Sequence, residues 1–463
     1  MIKLLNQYVP GRLFVLLISE NALTFLGLWI IVSLGIGESS VETAARPAFL
    51  GKALFITAVC QLCFYYADLY DLRRLRSRLE VLSRLLQALG AAAFCLALLV
   101  VFIPEMRLGK NVLHWTLITL VFVMMTWRIL LEWLSRAYQA GERVLVVGNG
   151  ATARALAKEI SLRTDLPFTV IGSVTESGNT EEPVLGLPVI GTLDDLTAIT
   201  KMHRPNRIVI ALNDRRKQLP LDELLTLRYS GIMVEDAAKL YEKITGKVPI
   251  DSVRPSDLIF SDGFRTSTIT RLYARITGFI GVIFCLLIAS PVMILTALLI
   301  KLESRGPIFY RQERVGRNHK SFMILKFRSM REGAESTGSP VWAQREDPRV
   351  TRVGKLIRKL RIDELPQFIN VLYGEMSFVG PRPERPFFVD LLRQKMPFYD
   401  LRHSIRPGIT GWAQVSCDYG ASVEESRDKL EYDLFYLKNL SISLDLLILF
   451  NTVKIMMFGR GAR

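Results

Sequence analysis

Four apolar stretches, at about 13–36, 49–66, 85–103 and 112–134, fill most of the first 140 residues. Each is close to the ~20 residues that cross a bilayer core as a helix. In lipid only a helix or a closed barrel satisfies its own backbone, so this pattern commits 1–140 to a four-helix transmembrane bundle. The first stretch is too long for a cleavable signal peptide and lacks a small-residue cleavage site. Glu20 and Arg128 interrupt the first and last stretches. A charge in a span is costly and can mark function, but Arg128 lies near an end and could snorkel, so neither is singled out.

Basic loops orient the bundle. The second connection carries Arg73, Arg74, Arg76, Arg78 and Arg84, whereas the others carry only Arg46 and Lys52, and Arg107 and Lys110. The arginine-rich loop is therefore expected in the cytoplasm, together with everything after the fourth span. Cys60, Cys63, Cys95 and Cys285 lie in apolar stretches and Cys417 stands alone, which gives neither a disulfide framework nor a zinc spacing. The net charge of +15, next to membrane spans and without a nucleic-acid-binding motif, points to anionic lipid headgroups and phosphorylated substrates; no nucleic acid is expected.

Residues 141–250 read as a Rossmann-like α/β domain. A buried strand at 143–147 runs into Gly148-Asn-Gly150-Ala-Thr-Ala153 and then a helical pattern, the context in which backbone N–H groups cradle a phosphate. Gly148 and Gly150 are thus candidate nucleotide-binding positions. Strands are expected at 168–174 and 207–212. Glu176 is farther along than a usual ribose-binding acid, and a Rossmann-like fold without a dinucleotide fits equally. Residues 251–269, rich in Ser, Asp and Pro, read as a linker.

A second membrane element follows at 276–300, an apolar run flanked on both sides by basic residues. Crossing the bilayer would carry the rest of the chain to the far side. A re-entrant hairpin broken at Ser290-Pro291 avoids this, because Pro291 removes a backbone donor and Ser290 can satisfy a freed carbonyl; a kinked span is the alternative. Val353, Leu356, Ile357 and Leu360 then recur at helical spacing among Arg and Lys, as in a helix lying on an anionic membrane.

Between Lys301 and Arg361 sixteen Lys/Arg face six Asp/Glu, and directly afterwards come Asp363 and Glu364, in Arg361-Ile-Asp-Glu-Leu-Pro-Gln367. Adjacent acids against such a background suggest phosphate chemistry, although a carboxylate in a first helical turn can also be a cap.

Six strings occur in order downstream: Gly306-Pro-Ile-Phe-Tyr-Arg-Gln-Glu-Arg-Val-Gly316, Lys326-Phe-Arg-Ser-Met330, Asp347-Pro-Arg-Val-Thr-Arg352, Asp363-Glu-Leu-Pro-Gln367, Gly380-Pro-Arg-Pro-Glu-Arg385 and Arg406-Pro-Gly-Ile-Thr-Gly-Trp-Ala-Gln414. Through them residues 270–463 resemble the bacterial polyprenyl-phosphate hexose-1-phosphate transferases, the large monotopic phosphoglycosyl transferases that initiate exopolysaccharide and O-antigen assembly. The resemblance implies a membrane protein of α + α/β class. Its parts are the four-helix bundle, the Rossmann-like cytoplasmic domain and a mainly helical monotopic catalytic domain with a re-entrant helix. It would sit in the bacterial inner membrane with catalysis on the cytoplasmic face, in an arrangement compatible with a homodimer.

By the same resemblance Asp363 is the nucleophile that attacks a UDP-hexose, releases UMP and passes the sugar phosphate to undecaprenyl phosphate. Glu364, with Asp363, would hold Mg2+. Arg358, Arg382 and Arg406, and then Lys326 and Arg328, would bind phosphate. UDP-glucose and UDP-galactose are the leading donors. His319 and His403 read as surface or packing residues, and Trp412 as a stacking or interfacial anchor. The chain departs from the family at Ala274, where an Asp is common, and at Val415-Ser-Cys-Asp-Tyr-Gly420, where a Val-Asn-Gly turn is usual. Two other readings are a nicotinamide-dependent nucleotide-sugar enzyme, which lacks a persuasive Tyr-x-x-x-Lys pair here, and a non-catalytic, nucleotide-sensing membrane scaffold.

Overall fold

The computed structural model describes residues 2–4, 7–9, 11–34, 47–71, 77–106, 112–137, 141–163, 166–175, 188–212, 219–251, 255, 268–331, 349–417 and 422–458. Two compact units emerge, Met1–Leu4 with Tyr8–Glu235, and Leu5–Gln7 with Asp236–Arg463.

The chain begins with a two-stranded sheet of β1 (Ile2–Leu4) and β2 (Gln7–Val9). Four long helices follow: α1 (Gly11–Ser33), α2 (Pro47–Tyr66), α3 (Arg78–Phe102) and α4 (Val112–Ala137). All four are long and apolar enough to cross a membrane by length and composition, and they share one apolar core containing Leu28, Phe64, Leu85 and Met124. Helix α3 starts earlier than its apolar pattern because Ser77 caps it, accepting from the Glu80 N–H at 3.2 Å. Arg78 and Arg84 are therefore helical rather than loop residues, while Arg73, Arg74 and Arg76 lie outside the described residues.

Glu20 and Arg128 meet. Arg128 donates to Glu20 through Nε at 2.7 Å and Nη2 at 3.1 Å, and through Nη1 to the Leu69 carbonyl at 3.0 Å. Tyr70 adds its hydroxyl to Glu20 at 2.7 Å. Neither charge is a tolerated outlier: each desolvated group supplies the other's partner, the arrangement that makes intramembrane charge affordable.

The rest of this unit is a sheet of order β5-β4-β3-β6-β7, formed by β3 (Glu142–Val147), β4 (Phe168–Thr175), β5 (Val189–Thr192), β6 (Arg207–Ile210) and β7 (Met233–Asp236). The registered pairs β3–β4, β3–β6 and β4–β5 are parallel. Helices α5 (Ala151–Leu162), α6 (Leu196–His203) and α7 (Leu221–Tyr229) alternate with the strands. The strand order reverses beside β3, as in a Rossmann half, and the turn after β3 stands at that switch point. Gly148 is there with φ +108°, and a Cβ would meet the Ala211 backbone at 2.9 Å. Close strand packing thus explains Gly148 without a ligand. Gly150 is the N-cap of α5. Glu176 lies outside the described residues.

The second unit opens with α8 (Ala237–Thr245). By sequence this stretch groups with the middle domain, but its contacts lie with the C-terminal part of the chain. Lys438 donates to Glu242 at 2.7 Å, Trp412 Nε1 to the Gly246 carbonyl at 3.0 Å, and Val248 N–H to the Glu431 carbonyl at 3.1 Å. Val248 and Ile250 enter a core with Tyr399, Leu430 and Leu434. Trp412 therefore acts as a clasp on Gly246.

Helix α9 (Thr268–Glu303) runs through Ser290-Pro291 as one helical element, with Ser290 Oγ donating to the Leu287 carbonyl at 2.8 Å. It is the fifth helix long and apolar enough to span a membrane. Its end packs Ile300 against Phe327 and Ile357. Next come the antiparallel hairpin β8 (Phe309–Val315) and β9 (Ser321–Phe327), then α10 (Arg352–Lys359) and α11 (Gln367–Leu372). In α10 only part of the apolar set is buried: Ile357 joins the core, while Leu356 and Leu360 stay about half exposed at 52% and 51%. Strands β10 (Ser377–Val379) and β11 (Gly408–Thr410) pair in parallel, and α12 (Pro386–Lys395), α13 (Trp412–Ser416), α14 (Val423–Lys438) and α15 (Ile442–Phe458) complete the unit.

Candidate active site

Asp363 and Glu364 occupy a 3₁₀ turn, Ile362–Glu364, that joins α10 to α11. Arg361 enters it with φ 54°, which reverses the chain after α10. Neither carboxylate caps a helix, since Pro366 is the N-cap of α11. Successive side chains on so tight a turn diverge by about 120°, so the two acids meet different surroundings.

Glu364 is held by cations from three directions. Arg382 donates to its Oε1 at 2.5 Å, Lys326 to the same oxygen at 3.1 Å, and Arg361 lies 3.7 Å from Oε2. Burial opposes its ionisation, but Arg382, Lys326 and Arg361 outweigh burial and keep its pKa well below the carboxylate range. Asp363 differs: among the described residues no donor reaches its carboxylate, and it makes no ion pair. Burial and then the negative charge of Glu364 push its pKa up, against the partial pull of Lys326, Arg358 and Arg382. One acid is locked in its charged form and the other is left available.

The scaffold explains the placement. Alternation along β9 sends Phe327 into the core behind and Lys326 toward Glu364. Arg382 lies in the loop between β10 and α12, whose carbonyls are gripped on several sides. Arg402 donates to Arg382 O at 2.9 Å, Arg314 to Pro383 O at 3.0 Å, Val315 N–H to Glu384 O at 2.9 Å and Gly408 N–H to Pro381 O at 2.9 Å. Gly380, Gly408 and Gly411 make this possible, because a Cβ on Gly408 or Gly411 would run into the Gly380 backbone. Arg402 is itself buried against Asp433, with Nη2 and Oδ2 at 2.9 Å. Burial raises the Asp433 pKa to about 6 despite Arg402.

Of the residues expected from sequence, Lys326, Arg358 and Arg382 surround the carboxylates, with Arg358 also donating to Ser329 Oγ at 2.8 Å. Arg328 goes elsewhere. It is buried, and its Nη1 and Nη2 donate to Arg305 O at 2.7 Å, Ser304 O at 2.9 Å and Ser304 Oγ at 2.8 Å, closing the C-terminal end of α9. Arg406 lies over Gly374, just past the C-terminal end of α11, 3.8 Å from where a Cβ would stand. Asp347 and residues 418–420 of the departing loop lie outside the described residues, as does the side chain of Ala274. Sequence reasoning missed Arg361, Arg402 and Asp433 as contributors. Arg361 adjoins the Asp363 string and Arg402 lies just before the Arg406 string, while Asp433 stands outside all six; their roles depend on a left-handed turn and on a buried pair across α14.

Comparison with known proteins follows this geometry. A family model described as bacterial sugar transferase matches residues 269–459, and one described as CoA-binding domain matches 66–226. The undecaprenyl-phosphate glucose phosphotransferase of Komagataeibacter xylinus is 32% identical over 81% of this chain and 71% of its own length. The chain belongs to the bacterial sugar transferases. The UDP-N-acetylgalactosamine-undecaprenyl-phosphate N-acetylgalactosaminephosphotransferase of Aeromonas hydrophila is 47% identical over half of this chain and 54% of its own length. The UDP-glucose:undecaprenyl-phosphate glucose-1-phosphate transferase of Escherichia coli is 42% identical over 40% of each. This sugar transferase thus spans about half the length of the Aeromonas relative. The matched region contains the dyad, the cations that surround it and the glycine-packed loop.

Proposed function

We propose that this protein transfers a sugar 1-phosphate from a UDP-sugar to undecaprenyl phosphate through a covalent Asp363 intermediate, on the cytoplasmic face of a bacterial inner membrane. The observation that carries this reading is the division of labour in the dyad: Glu364 is held ionised by three cations, while among the described residues no donor reaches the Asp363 carboxylate. A carboxylate that must attack phosphorus needs a free oxygen and an anion-tolerant site, and this one has both.

In the first step an Asp363 oxygen bonds to the β-phosphorus, the bond from that phosphorus to the bridging oxygen breaks, and UMP leaves with the electron pair. In the second, a phosphate oxygen of undecaprenyl phosphate attacks the same phosphorus and the Asp363 carboxylate departs, giving the diphosphate-linked sugar. Lys326, Arg358 and Arg382 would turn from the carboxylates to the phosphate oxygens as these arrive. The two hard carboxylates fit Mg2+, because Lys326 and Arg382 share one Glu364 oxygen and, among the described residues, no donor reaches Asp363. Bound there, Mg2+ would supply charge neutralisation on the diphosphate.

We also read α9 as re-entrant. Supporting this, Gly281 in its first half stands within 3.8 Å of the Phe378 ring, measured from an ideal Cβ, while Ile300 in its second half packs on Phe327. Both halves therefore touch the same folded unit. Residues on either side of Pro291, among them Ile283, Leu287, Ile294 and Ala297, also line one apolar hollow of ≈ 470 Å³ with Phe309. For the donor, the relative at 47% identity is named for N-acetylgalactosamine and those at 32% and 42% for glucose, so an N-acetylhexosamine joins glucose and galactose as a leading candidate.

The test is UMP release by the purified chain in nanodiscs with Mg2+, undecaprenyl phosphate and UDP-glucose, UDP-galactose and UDP-N-acetylgalactosamine, beside Asp363→Asn. Release with one donor, loss in the variant and a sugar-phosphate mass adduct on the Asp363 peptide are expected. Unchanged release by Asp363→Asn would remove the covalent mechanism.

A further inference from the structure

Away from the dyad, the tip of the β8–β9 hairpin meets the 3₁₀ segment Tyr399–Ser404, and two histidines and an aspartate converge there. The His319 and His403 rings lie 4.8 Å apart, His319 Nε2 is 3.8 Å from Asp400 Oδ1, and one ligand atom from each of His319, Asp400 and His403 falls within 4.8 Å of the others. We propose that these three side chains form a binding site for a transition-metal dication, zinc first, separate from the carboxylate dyad.

Two observations support this beyond proximity. His403 is only 5% exposed, and among the described residues its Nε2 has no hydrogen-bonding partner, an unusual state for a buried imidazole nitrogen that a metal would resolve. His319 stands at φ 60°, a left-handed conformation that favours glycine, so the hairpin tip carries strain in presenting an imidazole here. Arg393 now holds two of these groups: its Nε donates to Asp400 Oδ1 at 2.8 Å and its Nη2 to His319 Nδ1 at 3.0 Å, so an entering ion has to displace Arg393 and take His319 in the other tautomer. The positive charge of Arg393 opposes a dication, and the Asp400 carboxylate it contacts offsets it.

The donor set selects the ion. Two imidazoles and one carboxylate suit zinc and its neighbours rather than Mg2+, which takes oxygen ligands. Zinc–nitrogen bonds of ~2.0 Å put tetrahedral ligands about 3.3 Å apart. The present spacing therefore closes with a small rotation of the exposed His319, and a fourth position stays open to water. A bound ion would tie the hairpin tip to the segment that runs into Arg406.

The experiment uses the full chain, free of any histidine tag, in nanodiscs after chelator treatment. Zn2+ is titrated against a chromophoric chelator and Co2+ is followed by its visible absorption, with wild type beside His319→Gly and His403→Gln. Glycine is compatible with φ 60°, so His319→Gly should fold at least as well as wild type. Wild type is expected to take up one more equivalent of Zn2+ than either variant, to give the intense absorption of tetrahedral cobalt, and to gain Tm with Zn2+ where His319→Gly does not. UMP release with Mg2+ should be the same in wild type and His319→Gly. Equal uptake in all three proteins, or a Zn2+-dependent Tm gain that persists in His319→Gly, would overturn the site.

Discussion

Arg328 separates a structural arginine from a phosphate-binding one. Its guanidinium makes three donated contacts to Ser304 and Arg305, at 2.7–2.9 Å, where unpaired carbonyls end α9. A hydrogen bond from a charged donor contributes about 1.5–3 kcal/mol. Arg305 is exposed, so water can replace part of what its carbonyl loses, whereas the Ser304 contacts are more sheltered. Arg328→Met keeps the stem packed and removes the charge, so the net loss should be about 2–4 kcal/mol. At about 2–4 °C per kcal/mol for a unit near 200 residues, Tm should fall by roughly 4–16 °C. The assay is thermal unfolding in nanodiscs, paired with the KM for the UDP-sugar well below the lowered Tm. Arg328→Met should lose Tm and keep KM; Arg382→Met, which frees Glu364 of its shortest partner, should do the reverse. If Arg328→Met kept its Tm and raised KM, the assignment of Arg328 to the end of α9 would be wrong.

The dyad predicts opposite pH shifts from two neutralising changes. In the proposed mechanism Asp363 attacks in its ionised form, and Glu364 raises its pKa while Lys326 lowers it. Activity that rises with pH on the acid side should therefore begin at lower pH in Glu364→Gln and at higher pH in Lys326→Met; pH–rate profiles that move together would contradict this. In the first unit, Glu20→Met or Arg128→Met alone should cost about 3–5 kcal/mol by stranding a buried charge, while the double variant costs less than either, read as a double-mutant cycle in Tm. Gly408→Ala places a Cβ on the Gly380 backbone and should destabilise by about 3 kcal/mol or more, seen as loss of folded protein on size-exclusion chromatography; normal yield and Tm would show that the loop can shift.

The sequence showed the spans and the strand-turn-helix start of the α/β sheet because each rests on a local signal: about twenty apolar residues, or a buried run that ends in glycine. The position of Asp363 and Glu364 was equally legible, through their neighbouring strings. Their difference was not. It depends on Arg382, which arrives from a loop held by Arg402, and on Arg361 in a left-handed turn, both set by tertiary contacts. Arg328 misled for the same reason: Lys326 and Arg328 share one strand face by period, yet Lys326 meets Glu364 while Arg328 turns back onto α9. His319 and His403, eighty-four positions apart, gave no sequence signal of meeting.

Charge counting ties the site to its proposed substrate. Four cations act on the dyad: Lys326, Arg358 and Arg382 on Asp363, and Arg361, again with Lys326 and Arg382, on Glu364. Among the described residues these four cations outnumber the two carboxylates in a partly desolvated setting, and Arg382 and Lys326 crowd onto one Glu364 oxygen. An incoming diphosphate offers oxygens that let the same cations spread out. Binding would then relieve repulsion between two cations on one acceptor while bringing phosphorus toward Asp363, which no donor reaches among the described residues. In the proposed reaction this arrangement would favour a dianion over a neutral sugar, and it makes Glu364 the holder of Lys326 and Arg382 until the diphosphate arrives, which is why a neutral glutamine there should alter the pH profile.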